Sequence, residues 1–73
     1  MKLNHYFFKV YTGPCIVNQT ADKLRLHFAD CEVLAGTYGT WVHVYAESKQ
    51  DVERRLAGLP TWIQNEVKIN EFK

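Results

Sequence analysis

The residues able to do chemistry are few and scattered. His5, His27 and His43, with Cys15 and Cys31, supply imidazole and thiol groups, which serve as zinc ligands and as partners in nucleophilic catalysis. None of them falls at Cys-x-x-Cys or His-x-x-x-His spacing, so neither a metal centre nor a nucleophile with its base is read from them. There is no phosphate-cradling glycine loop and no His-x-Glu signature of a zinc deaminase. The expectation is a non-enzyme with no catalytic residue, no metal and no cofactor. What remains is stacking chemistry. In TWVHVYA, residues 40–46, Trp41, His43 and Tyr45 share one parity and Val42, Val44 and Ala46 the other, the period-2 pattern of a strand with two different faces. Flat rings in such a row can receive nucleobases or the apolar side chains of a protein partner.

The elements that must position this row follow from the neighbouring sequence. Ser48 is placed to cap a helix, with Asp51 three positions on and Val52, Leu56 and Leu59 about a turn apart. That helix covers the aliphatic face of the strand and leaves the ring face open. The charges of residues 49–55 alternate as on a solvated helix face. Residues 5–12, HYFFKVYT, read as a first strand stopped by Gly13-Pro14. Phe8 and Val10 then face inward and Phe7, Lys9 and Tyr11 outward, although aromatics on both faces leave the opposite parity open.

Residues 15–19 are a connection. Residues 20–31, TADKLRLHFADC, predict a helix with Thr20 at its N-cap, Asp22 in its first turn and Ala21, Leu24, Phe28 and Cys31 as its apolar stripe. Leu24, Leu26 and Phe28 also alternate with Arg25 and His27 as in a strand, but that reading gives Ala21 and Cys31 no role. Glu32–Ala35 is a short strand, and residues 36–39, GTYG, a tight hairpin turn with glycines able to take positive φ. Gly58 and Pro60 end the second helix. Thr61–Glu66 is expected as a connection with Trp62 and Ile63 capping the core edge, and residues 67–72, VKINEF, as the last strand.

The order strand, helix, strand, strand, helix, strand, with right-handed crossovers, predicts an α+β fold. It is a ferredoxin-like βαββαβ sandwich: a four-stranded antiparallel sheet with two helices on one face. At 73 residues the chain holds a single domain, 1–73, with a small core. Nine Lys and Arg against eight Asp and Glu give no bulk drive toward a polyanion, so any nucleic-acid contact must be local. Two cysteines are too few for a disulfide framework and read as core thiols in a reducing compartment. The N-terminal stretch lacks a leader's apolar core, and no segment approaches the ~20 apolar residues of a membrane span. An intracellular protein, nuclear or cytoplasmic and off the membrane, is expected. Both ends read as strands, as in a domain excised from a longer chain, whereas Met1 suits a free-standing small protein.

Three stretches resemble the RNA recognition motif family. Residues 20–24 (TADKL) with Phe28 and Glu32-Val33 are similar to its first helix and second strand, residues 47–56 (ESKQDVERRL) to the end of its third strand and its second helix, and residues 67–69 (VKI) to its fourth strand. The resemblance implies that single-stranded RNA is read by aromatic residues on the two central strands, on which successive bases stack. Carried onto this sequence, Trp41 and His43 take the two outward stacking positions of the third strand. Lys9 stands where the family usually has a ring, with Phe7 and Tyr11 on the same face. No basic residue directly precedes Trp41, a departure from the family pattern. The RNA-binding set is therefore Phe7, Lys9, Tyr11, Trp41, His43 and Lys68, with Arg25 or Lys73 as further phosphate contacts. A protein partner on the same face, or on the helices, is the alternative.

Overall fold

The computed structural model describes residues 2–72. In chain order the elements are β1 (Asn4–Tyr11), α1 (Val17–His27), β2 (Glu32–Ala35), β3 (Gly39–Ala46), α2 (Lys49–Leu56), α3 (Thr61–Glu66) and β4 (Asn70–Phe72). The strands form one antiparallel sheet in the order β2-β3-β1-β4. This is the ferredoxin-like α+β arrangement, with a short extra helix ahead of β4.

Side-chain alternation divides the sheet into a covered and an uncovered face. Tyr6, Phe8 and Val10 of β1 and Val42, Val44 and Ala46 of β3 are buried, and they form one core with Ala21 and Leu24 of α1, Phe28 just beyond it, Val52 and Leu56 of α2, Leu59 in the connection that follows, and Ile63 of α3. Phe8 and Phe28 pack edge to face with ring centroids 5.7 Å apart. This settles the parity of β1, with Phe7, Lys9 and Tyr11 on the uncovered side. Ser48 caps α2 as its sequence demands, its Oγ accepting the Asp51 backbone N–H at 3.3 Å.

Several boundaries differ from expectation. Helix α1 starts at Val17, and Thr20 lies buried inside it instead of at the N-cap; Ile16 holds that position without a side-chain cap bond. Val17 stands four residues before Ala21 and extends the apolar stripe by one turn. Burying a valine is worth ~1.5–3 kcal/mol against ~1 kcal/mol for a cap, so the longer helix wins. Asp22 consequently leaves the first turn and pairs with Arg25 at 3.2 Å. The helix ends at His27; Cys31 is half-buried against the core, and Cys15 is exposed in the loop before α1, so only one thiol approaches the expected core position. Among the described residues none has positive φ, and the β2–β3 turn closes instead through the Gly36 N–H donating to the Gly39 carbonyl at 2.8 Å.

Residues 61–66 form helix α3 where a connection was expected. Pro60 precedes it with φ −55°, already suited to a helix start. In so short a helix one side chain per turn can face the sheet. Ile63 takes that place at 0% exposure and Trp62, about 100° around the axis, is left 45% exposed and outside the core. The last strand is short as well. β1 offers β4 only His5, Tyr6 and Phe7, so residues 67–69 lie outside the ladder although Val67 and Ile69 pack against the core.

A polar clip ties α2 to the segment before β2. Arg55 donates to both oxygens of Asp30 and to the Cys31 sulfur while its guanidinium lies 5.0 Å from the centroid of the Phe28 ring. Its donated hydrogen bonds hold the Asp30 carboxyl below its ordinary value, and burial raises the Cys31 thiol. Nearby, the His27 ring bonds the Arg55 carbonyl and packs over Gly58, where an added Cβ would sit 2.8 Å from His27 Cε1. Gly58 therefore serves this close approach as well as the end of α2.

Candidate functional site

The uncovered face of the sheet is built from β1 and β3, which pair without interruption over eight residues each. Their register sets opposite one another Lys9 and Trp41, Phe7 and His43, His5 and Tyr45. The flanking strands continue these rows. Leu34 stands beside Trp41, Glu32 beside His43, Asn70 beside Phe7 and Phe72 beside His5. Period-2 alternation at every one of these positions is what keeps the rings off the core face.

The rings form a connected surface. Phe7 lies 5.9 Å from Trp41 and 6.1 Å from His43 by ring centroids, and His5 lies 4.8 Å from Tyr45, nearly parallel, and 5.4 Å from Phe72. Between them is a shallow apolar depression of about 360 Å³ lined by His5, Phe7, Leu34, Trp41, His43 and Phe72. Trp41 is 38% exposed and Tyr11, Tyr45 and Phe72 about 60%, so each ring offers a free surface.

Two lysines stand at one end of this face. The Lys9 ammonium lies 4.7 Å from the Tyr11 ring centroid and 5.6 Å from that of Trp41, a cation held between two π faces. Gly39, directly opposite Tyr11, makes this possible: a Cβ there would stand 2.8 Å from Lys9 Cε and 2.8 Å from the Val10 carbonyl oxygen. Lys68 joins Lys9, Tyr11, Trp41, Glu66 and Asn70 around a second, smaller hollow. Among the described residues, the row of His5, Tyr45 and Phe72 at the other end holds no lysine or arginine.

All six residues assigned to binding from the sequence, Phe7, Lys9, Tyr11, Trp41, His43 and Lys68, thus meet on or beside one face. Arg25 does not: it lies on α1, paired with Asp22. Lys73 falls outside the described residues. Among the described residues no group of three or more His, Cys, Asp and Glu is arranged to hold a metal ion, and no helix is long and apolar enough to cross a membrane.

No family model, curated protein or solved structure matches this chain.

The site is larger than the sequence-based set. His5, Leu34, Tyr45 and Phe72 also belong to it. His5 and Tyr45 were signalled by parity, since they continue the alternation of Phe7 and of Trp41 with His43. Leu34 and Phe72 are placed only by the inter-strand register, which no single segment discloses.

Proposed function

We propose that this chain is a single-stranded RNA-binding module of the RNA recognition motif type, and not an enzyme. Bases stack on Trp41 and Phe7, with His43 and Tyr11 beside them, while Lys9 and Lys68 meet the phosphates. The observation that carries this reading is the connected row of rings on the uncovered central strands with both lysines at one end. Base stacking on an aromatic side chain contributes ~1–3 kcal/mol per base and tolerates any sequence, which suits a face with few hydrogen-bonding groups. Such a module works where RNA is, in the nucleus or cytoplasm.

A second reading draws support from the other end of the face. Tyr45 and Phe72 are 59% and 65% exposed there, and no lysine or arginine among the described residues shares their row, a surface suited to a protein partner. Titration of short fluorescent RNAs separates the two. RNA binding predicts that Trp41→Ala weakens affinity roughly 5- to 150-fold, the range of one lost stacking contact. Two phosphate contacts predict a log–log salt slope of about −1.4. If no open-face amide resonance moves at millimolar RNA, the RNA reading fails and the protein reading stands in its place.

A further inference from the structure

His5 and His43 lie on neighbouring strands, one row apart, with His5 Nε2 and His43 Nδ1 separated by 2.9 Å. Left to themselves, one ring donates its hydrogen to the lone pair of the other. The same spacing suits a different occupant. Two imidazole nitrogens bound to one ion at ~2.05 Å stand ~2.9 Å apart when they meet at a right angle, and ~3.3 Å apart when the geometry is tetrahedral.

We infer that His5 and His43 form a two-imidazole site for a divalent transition-metal ion of square-planar or octahedral preference, Cu(II) or Ni(II) ahead of Zn(II). Each neutral ring keeps its single hydrogen on the nitrogen facing away, Nδ1 of His5 and Nε2 of His43. The two inner lone pairs then turn toward the ion. No proton is lost from the neutral pair and no redox step is involved.

The surroundings fix the rings from several sides. His5 stacks on Tyr45 at 4.8 Å and is flanked by Phe72 at 5.4 Å, while His43 leans on Phe7 at 6.1 Å. Both imidazoles stand on strands paired along their whole length, so their backbone positions are set before the ion arrives and only the rings have to turn. Glu32 faces His43 across the β2–β3 pair and is the nearest carboxylate in that row. With only two protein ligands, water fills the other positions and the ion exchanges readily. A bound ion would bring positive charge to the row of the ring surface away from Lys9. The site stands independently of RNA binding.

The test is calorimetric titration of the RNA-free protein with NiCl₂ and CuCl₂, alongside electron paramagnetic resonance of the copper form. One ion binds per chain, the copper spectrum shows two equivalent imidazole nitrogens, and either His5→Gln or His43→Gln weakens nickel binding at least roughly tenfold by ending the chelate. His27→Gln, on α1, leaves both readouts unchanged. Binding that survives either open-face substitution, or a one-nitrogen spectrum from the unaltered protein, overturns the assignment.

Discussion

Leu24 and Leu26 lie two positions apart in a segment whose residue pattern fits either a helix or a strand, and the two structures give them opposite fates. In α1, Leu24 is 0% exposed and Leu26 84% exposed. In a strand the two would share one face and be buried together. Replacing each by alanine removes the same three carbons. For Leu24 the transfer loss is about 2.4 kcal/mol at ~0.8 kcal/mol per buried methylene, and the void left in the core brings the total to about 2–5 kcal/mol. For Leu26 the change lies within ~0.5 kcal/mol of zero, since the side chain is in water and alanine favours helix. A domain of this size has ~4–11 kcal/mol of total stability, so Leu24→Ala removes a large share of it. At ~4–8 °C per kcal/mol, the melting temperature falls by ~10 °C or more for Leu24→Ala and stays within ~4 °C for Leu26→Ala. Thermal unfolding followed by circular dichroism reads both. Comparable losses from the two variants would refute the helix and with it the covering of the sheet's inner face.

Three further outcomes follow from particular contacts. Gly39→Ala forces a methyl group to 2.8 Å from the Val10 carbonyl oxygen, part of a paired strand that cannot give way cheaply, so urea unfolding should show a loss of ~1–3 kcal/mol. Cys31, half-buried with its thiol pushed above the ordinary thiol value by burial, should react with N-ethylmaleimide at pH 8 at least roughly tenfold more slowly than exposed Cys15; peptide mass mapping that finds equal rates would contradict the burial. The hydrogen bonds from Arg55 hold the Asp30 carboxyl below the ordinary carboxylate value, so its contribution to stability is present above that ordinary value and disappears as the pH falls through the lowered one. Asp30→Asn should therefore lose less stability than the unaltered protein between pH 6 and pH 2.5; an unchanged difference in urea midpoints would remove Arg55 as the cause.

The sheet was the legible part of the sequence because alternation is a local signal. Val42 and Val44 against Trp41 and His43 carry their orientation within a few residues, whereas β1, with rings on both faces, has its parity decided by the burial of Phe8 against Phe28. Ser48 with Asp51 was equally local. Thr20 misled because a residue able to cap is also able to sit inside a helix, and the decision lay with Val17, whose burial is a tertiary event. Trp62 and Ile63 are both large and apolar, and a six-residue helix has too few turns to show which faces inward. The candidate site was legible strand by strand, and its six assigned residues come together on one face. The approach of His5 to His43 depends on register between segments 38 residues apart, which neither segment encodes alone.

The earliest strand of this sheet in chain order is one that ends up with a neighbour on each side. As the chain leaves the ribosome, β1 waits for residues 39–46 before it gains its first partner and for residues 70–72 before it gains its second. Throughout that interval its aromatic-rich backbone presents unmatched N–H and C=O groups, the template on which foreign strands assemble. A chain cut short before residue 70 would keep β1 with one unmatched edge, so Asn70–Phe72 act as a closure against self-association as much as a part of the sheet.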